Sequence, residues 1–389
     1  MAKIMTRKEV EILGKNVWHD YGDRIRSENR MLNFAEFDHR RITLKSLPRA
    51  VFVELTQNCN LNCRYCKNGK QLKYRSELDM ETDLFQQVAE ELFPSAELVD
   101  LRGWGESTIL KNFLMFVDIT QSYGVQIRLV TNGMNPDPAI WDRLMACRAM
   151  VVISCDVAEP RLFSELRGGG KLQRLITTVR TIVKYRDFYH VPNNYVYFTC
   201  VVSRKNVDSI PELLRMAHEL GLNKVILFPI MIAPSHPLHL ARCVEAARNG
   251  LIAAHKTADS LNMTLQLGAA LDKSLRRVDD VKKICINPWA YTLIDYSGRV
   301  GYCDHLIGIR RATLGSLHKN SFREIWNNRS FRKLRKAHAN GKLSYQFRRC
   351  RWCYDMRYVD IEHYIDSKFV DNLVSNHTRR FLYSNQSPE

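Results

Sequence analysis

From residue 50 to about residue 270, short apolar runs alternate with longer stretches whose apolar positions recur at helical spacing. The runs Val51–Leu55, Leu98–Leu101, Gln126–Val130, Val151–Cys155, Tyr195–Val202 and Lys224–Phe228 are rich in Val and Ile with few polar interruptions. That near-continuous apolar character suits parallel strands buried on both faces. Between them, Thr82–Leu92 is amphipathic with Thr82 or Asp83 near its start, and Pro211–Leu220 keeps a helical period up to the stop signal Gly221. Six strand–helix units in succession predict an α/β chain forming a partial or full barrel, with its active site at the C-terminal ends of the strands. After about residue 275 the pattern changes, and turns such as Tyr296-Ser297-Gly298 separate short strands. Four regions are expected: a polar, partly helical lead-in over 1–48, a barrel over 49–275, a smaller domain over 280–357 and a tail over 358–389.

Composition narrows the class. The 389 residues are 45% apolar and 25% charged, which fits one large or two modest folded domains and excludes intrinsic disorder. No apolar run reaches the roughly 18 residues of a membrane span. Residues 1–15 lack the apolar core of a signal peptide, so no membrane partner and a cytoplasmic location are expected. Eleven Cys in such a chain point to metal or redox work rather than a disulfide framework. The net charge of +17 is uneven: from Arg299 to Arg357 there are fifteen Lys and Arg against Asp304, Glu324 and Asp355. A solvated basic face, an acidic peptide, a nucleic acid or compensation of an anionic cluster would each account for it. The stretch lacks the aromatic–basic interleaving of a stacking surface, so a nucleic-acid partner is not expected.

The chemistry gathers at cysteines. Cys59, Cys63 and Cys66 stand at CxxxCxxC spacing on the loop leaving the first strand. Three thiolates on one short loop can hold three corners of a cubane iron–sulfur cluster and leave the fourth iron open. Zinc would want a fourth ligand, and no Cys or His occurs between Cys66 and Cys147. Further on, Cys285 and Cys303 precede Cys350-Arg351-Trp352-Cys353. By itself this CxxC with two remote Cys suits zinc and iron–sulfur equally.

With these motifs the chain resembles the radical S-adenosylmethionine (SAM) superfamily. Gly103-Trp104-Gly105-Glu106 after strand two is similar to its GGE-type turn, with Trp104 where a small residue often stands. Thr131-Asn132-Gly133, Ser154-Cys155-Asp156 and Phe163–Gly168 resemble its strand-three, strand-four and Y-x-x-x-R-G segments. Leu314-Gly315-Ser316-Leu317 and Glu324-Ile325-Trp326-Asn327 resemble its SPASM/twitch extension. The resemblance implies a partial (β/α)6 radical SAM barrel followed by a small α+β auxiliary-cluster domain. It implies a [4Fe-4S] cluster on Cys59, Cys63 and Cys66 that also binds SAM. Gly103, Gly105 and Glu106 would meet the SAM amino group, and Arg167 its carboxylate. Thr131, Asn132, Ser154 and Asp156 would face SAM, with the adenine near Tyr65 and Phe228, while Cys155 is expected to be a buried structural thiol. Cys285, Cys303, Cys350 and Cys353 would hold one auxiliary [4Fe-4S] cluster, fully ligated and suited to electron transfer. No Cys follows residue 353, so the shorter twitch form is expected. Arg348, Arg349 and Arg351 would stabilise its reduced state.

The chemistry so implied is reductive cleavage of SAM to a 5′-deoxyadenosyl radical, which removes hydrogen from a substrate carbon. The first expectation is oxidation of a hydroxyl on a sugar or aminocyclitol-type small molecule, with an external electron donor such as flavodoxin or ferredoxin. One alternative is epimerisation, with Cys200 or Cys243 returning hydrogen. Another is modification of a ribosomally made peptide. The short lead-in speaks against a complete leader-binding domain, and the basic second region speaks for an acidic leader. A zinc-ribbon nucleic-acid binder is the remote alternative, and it leaves Cys59–Cys66 without a purpose.

Overall fold

A computed structural model describes residues 15–66, 74–230, 232, 235–267, 285–306 and 308–350. Cys353, Arg351, the expected boundary at 275–280 and the tail over 358–389 lie outside those residues. The strands are β1 (Ala50–Val53), β2 (Leu98–Leu101), β3 (Gln126–Thr131), β4 (Met150–Ser154), β5 (Val196–Val202), β6 (Lys224–Pro229), β7 (Thr264–Leu267), β8 (Tyr291–Ile294), β9 (Arg299–Gly301) and β10 (Gly315–Ser316). The first six coincide with the expected runs to within two residues. The helices are α1 (Lys15–Asp38), α2 (Thr82–Leu92), α3 (Phe113–Ser122), α4 (Pro138–Ala146), α5 (Pro160–Leu166), α6 (Leu172–Phe188), α7 (Ile210–Glu219), α8 (Val244–Ser260), α9 (Asn287–Ala290), α10 (Phe322–Trp326) and α11 (Arg329–Ala339).

One ten-stranded sheet runs in the order β10-β9-β8-β1-β2-β3-β4-β5-β6-β7. From β8 to β7 every pairing is parallel, and β9 and β10 are antiparallel. Helices between consecutive parallel strands cover one face, as crossover connections require. Alternation along each strand divides the side chains. Val51, Val99, Ile127, Val151, Phe198 and Val225 enter the helix-side core. Phe52, Met150, Val152, Tyr197 and Ile226 line the opposite, inner face. The sheet is longer than six units. β7 extends it at one end, and β8 pairs with β1 at the other.

The C-terminal region is therefore joined to the barrel sheet through β8. Asp295 and Gly298 make the turn into β9, with Gly298 at φ 71° and its N–H donating to the Asp295 carbonyl at 2.9 Å. Residues 42–47 of the lead-in tie this region down. Trp326 Nε1 donates to the Ser46 carbonyl at 3.0 Å, Asn327 Nδ2 to the Leu44 carbonyl at 2.8 Å and Arg335 Nη1 to the Ile42 carbonyl at 3.1 Å. Asn33 on α1 donates to Ser46 Oγ and to the Trp289 carbonyl at 2.9 and 2.7 Å. Among the described residues no helix is long and apolar enough to cross a membrane.

Candidate active site

The loop that carries the first three cysteines is held from below by its own polar residues. Thr56 Oγ1 donates to Asp79 Oδ1 at 2.5 Å, and Asn58 Nδ2 donates to Asp79 Oδ1 at 2.8 Å and to the Arg75 carbonyl at 2.7 Å. The Asn58 amide oxygen accepts from Arg75 N–H at 2.9 Å. Beside the loop sits the 103–106 turn. A Cβ on Gly105 would stand 2.4 Å from the Thr56 carbonyl oxygen, and one on Gly103 would stand 2.3 Å from Glu54 Cγ. Both glycines are thus required by the protein's own close packing against the cysteine loop. Glu106 N–H completes the seam by donating to the Asn58 carbonyl at 2.8 Å.

Glu106 and the end of β3 form a second layer. The Glu106 carboxylate, 2% exposed, accepts from Thr131 Oγ1 at 2.8 Å, Thr108 Oγ1 at 2.7 Å and Asn132 N–H at 2.7 Å. Burial pushes its pKa up, against those donors. Asn132 then reaches the cysteine loop: its Nδ2 donates to Asn60 Oδ1 at 2.7 Å and lies 3.8 Å from Cys59 Sγ. Glu106, Thr131, Asn132 and Cys59 therefore act as one hydrogen-bonded unit.

The opposite flank of the loop is held by the 163–168 segment. Arg167 Nε pairs with Asp156 Oδ2 at 2.8 Å, with both side chains nearly buried. Burial pulls the Arg167 guanidinium down, but Asp156 and the Cys63 thiolate outweigh it, and its pKa ends above the usual arginine value. Gly168, at φ 55°, would place a Cβ 1.9 Å from the Asn62 carbonyl oxygen. Arg64 N–H donates to the Leu166 carbonyl at 3.0 Å, and its guanidinium meets Glu165 at 2.5 Å. This clamp brings Cys63, Asp156 and Arg167 together.

Other expected positions separate. Just past β4, Cys155 is fully buried in the helix-side core, alternating with Ser154 and Asp156 on either side. Phe228 packs against the inner-face cluster of Val152, Tyr197 and Ile226, whereas Tyr65 packs half-buried against the helix-side core. Strand alternation turns Cys200, one of the two candidate hydrogen donors, away from the inner face. It is fully buried on the helix side, with Sγ 3.5 Å from the Asp156 carbonyl, and burial holds its pKa well up. Cys243 precedes α8 and also packs against the helix-side core, near Arg204 and Asp208.

The second cysteine group converges on Tyr302. Its ring is 3% exposed, its hydroxyl lies 3.6 Å from Cys350 Sγ, and Phe347 meets it edge-on at 6.0 Å. Burial raises the phenol pKa, and the thiolates of Cys350, Cys303 and Cys285 raise it further, so all three Cys lie within electrostatic reach of one ring. Arg348 and Arg349 beside Cys350 are exposed.

The donors at the first loop suit an iron–sulfur group. Burial and repulsion from Glu106, Cys63 and Cys66 push the Cys59 thiol up to about 12, and burial with Cys66 and Asp156 also raises Cys63. Three cysteines on one loop, whose thiolates would repel one another, are what a multi-iron cation relieves, with protons released on binding. Among the described residues, no three Cys, His, Asp or Glu converge on a single ion. A cubane binds each thiolate to a different iron, so such convergence is not required.

Sequence reading did not single out Thr56, Asn58, Asp79, Glu54 or Tyr302. The signal at hand was position: Thr56 and Asn58 lie inside the cysteine loop and Tyr302 beside Cys303.

Comparison with known proteins agrees with this geometry. The family described as Radical SAM superfamily matches residues 53–217, and the iron–sulfur cluster-binding domain SPASM matches residues 285–354. A tungsten-containing aldehyde ferredoxin oxidoreductase cofactor-modifying protein of Pyrococcus furiosus is 23% identical, over 72% of this chain and 81% of its own. The mycofactocin maturase of Mycobacterium ulcerans is 25% identical, over 76% of this chain and 79% of its own. Streptococcus suis SuiB bound to S-adenosylmethionine superposes with a TM-score of 0.60 at 14% identity, covering 79% of this chain and 72% of that one. SuiB has also been solved bound to its precursor peptide SuiA. The fold and the cysteine loop define a radical SAM protein. The chain belongs to the radical SAM superfamily and carries a SPASM iron–sulfur domain, with SAM, a [4Fe-4S] cluster and auxiliary iron–sulfur as its cofactors.

Proposed function

We propose that this radical SAM enzyme modifies a peptide, removing hydrogen from a carbon of a peptide segment presented at the C-terminal ends of β1–β6. The observation that carries the reading is the mycofactocin maturase, similar over three quarters of the chain. The solved complex of SuiB with its precursor peptide, and the basic stretch from Arg299 to Arg357, support an acidic peptide in the same role. The tungsten-related relative is, by its name, a cofactor-modifying protein, which points to another substrate.

When bound, the cluster on Cys59, Cys63 and Cys66 supplies one electron that cleaves SAM and starts hydrogen abstraction. The protein's own residues do the placing. Thr56, Asn58 and Asp79 hold the cysteine loop against β1, and Glu106 with Asn132 fixes the Cys59 side. Arg167, balanced by Asp156, puts a buried cation beside Cys63, the charge that the SAM carboxylate needs. We assign Cys285, Cys303, Cys350 and Cys353 to the auxiliary site, where a bound cluster would supply an acceptor for the substrate's second electron, with flavodoxin or ferredoxin as the external electron donor. Cys200 and Cys243 both pack on the helix side, which supports electron loss over hydrogen return as the second step.

The test is deuterium transfer. Anaerobically reconstituted protein, SAM and dithionite are mixed with acidic synthetic peptides deuterated on carbon, and separately with deuterated aminocyclitols. Deuterium in 5′-deoxyadenosine from the peptides alone is the expected result. Transfer from the aminocyclitols alone replaces this reading with hydroxyl oxidation of a small molecule. A product that gains one carbon-bound deuterium in D₂O overturns electron loss and restores a thiol donor.

A further inference from the structure

Trp104 departs from the small residue that often stands at its position, and the structure shows what the indole touches. The 103–106 turn faces the cysteine loop on one side. On the other, the Trp104 ring lies against Gly308, where a Cβ would stand 3.3 Å from the indole Cη2 and Cζ3 atoms. Gly308 has φ 71° and lies in the segment that follows Cys303. The Trp104 backbone is fixed as well, because its N–H donates to the buried Glu54 carboxyl at 3.0 Å. The indole also packs against the inner-face cluster of Phe52, Tyr291 and Leu293, which spans β1 and β8.

Two residues earlier, Arg102 makes a parallel connection. Its Nη2 pairs with Asp304 Oδ2 at 3.0 Å, and its Nε pairs with Asp100 Oδ2 at 2.9 Å on β2. The guanidinium sits 4.8 Å over the Phe52 ring. Asp304 follows Cys303 directly, and its Oδ1 lies 3.8 Å from Cys303 Sγ. A guanidinium gripped on two sides by β1 and β2 is a rigid anchor, since little rotamer freedom remains to be lost.

We propose that Trp104 and Arg102 are positioning residues that lock the segment carrying Cys303 onto the turn beside the first cysteine loop. One short stretch of β2 and its turn thereby fixes the separation of the two cluster sites. A chain with a small residue at 104 would keep the seam to the cysteine loop, which uses Gly103, Gly105 and Glu106, and lose the contact to Gly308. The inference rests on the cysteine sites and not on the substrate class.

Two measurements test it. Hydrogen exchange on the metal-free chain reads the docking of residues 299–314. Pulsed electron paramagnetic resonance on the iron-loaded chain reads the dipolar coupling between the two reduced clusters. Trp104→Gly is expected to speed exchange across 299–314 by about tenfold, leave 54–64 protected, and broaden the inter-cluster distance distribution. Trp104→Phe should restore most of the protection, because a smaller flat ring still covers Gly308. Arg102→Met and Gly308→Ala carry the same test without removing the indole, and both are expected to shift exchange in the same direction. Wild-type exchange and wild-type coupling in Trp104→Gly, or in both of the other variants should Trp104→Gly not fold, would overturn the proposal.

Discussion

The two cysteine sites are built on opposite plans. At the first, all three Cys sit on one loop, and a buried lattice of hydrogen bonds from Thr56, Asn58, Glu106, Asn132 and the 163–168 clamp holds that loop. At the second, Cys285 precedes α9, Cys303 follows β9 and Cys350 follows Phe347, so three separate elements must dock before the thiols meet. Their common neighbours are aromatic: Tyr302 and Phe347. The first site is preorganised by local polar chemistry. The second is assembled by the tertiary fold, through β8 against β1 and the lead-in against α10 and α11.

The largest effects should come from removing each set of thiols. With both sites loaded as cubanes the protein should hold about eight iron atoms, and Ala at Cys59, Cys63 and Cys66 should leave about four. That variant should make no 5′-deoxyadenosine from SAM, while its thermal unfolding stays close to wild type, because the hydrogen bonds among Thr56, Asn58, Asp79, Thr131 and Glu106 do not use the sulfurs. Ala at Cys285, Cys303, Cys350 and Cys353 should remove the other iron and also loosen the region after β8. Equal unfolding in both variants would break the contrast. Next in size is Glu106→Ala. It strands Asn132 N–H, Thr131 Oγ1 and Thr108 Oγ1 in a buried place, at a cost of about 3–5 kcal/mol measured by urea unfolding. A loss below about 1 kcal/mol would show that the lattice does not hold the loop.

This division also explains what was legible in the sequence. β1 to β6 were readable because runs such as Val51-Phe52-Val53 and Val151-Val152-Ile153 are buried on both faces and show no competing period. β7 was not, since Thr264-Leu265-Gln266-Leu267 alternates and is only four residues long. The pairing of β8 with β1 is a contact between distant segments, which no local pattern encodes. At the first site the Cys spacing and the strand-end motifs were plain, because ligand spacing is local. Their fastening was hidden, because Asp79 lies in a charged 3-10 turn that reads as surface. Cys200 shows the limit of motif reasoning: its place on β5 was right, and one step of alternation sends it to the helix side.

Glu54 sharpens the contrast at moderate size, because it lies under the first site and carries a charge cost that the lattice does not remove. Burial raises its pKa to about 7, with Asp295 adding to the rise and the Trp104 N–H opposing it. The folded chain therefore holds a proton there that the unfolded chain has lost above its ordinary value near 4.5. Stability should fall as pH rises from about 4.5 to 7 and level off above that, by on the order of 3 kcal/mol from this group. Glu54→Gln keeps an acceptor for Trp104 N–H and has no proton to lose. It should flatten that slope and raise the melting temperature at pH 8. An unchanged slope would mean that the carboxyl is better solvated than its full burial implies.

The smallest expected effect probes the second site alone. Tyr302→Phe removes the hydroxyl that lies 3.6 Å from Cys350 Sγ and leaves the ring packed edge-on against Phe347. Volume is conserved, so stability should change by less than about 1 kcal/mol. A hydroxyl donating to a ligand sulfur favours the reduced, more negative cluster, so its loss should lower the auxiliary midpoint potential by on the order of tens of millivolts. The first cluster has its own nearby donor in Asn132, 3.8 Å from Cys59, and should keep its potential. Redox titration followed by electron paramagnetic resonance separates the two signals. A shift confined to the auxiliary signal means each site is tuned by its own neighbour, the polar lattice at one and the buried phenol at the other. A shift in both signals means the Trp104 and Arg102 junction couples them electrically as well as holding them in place.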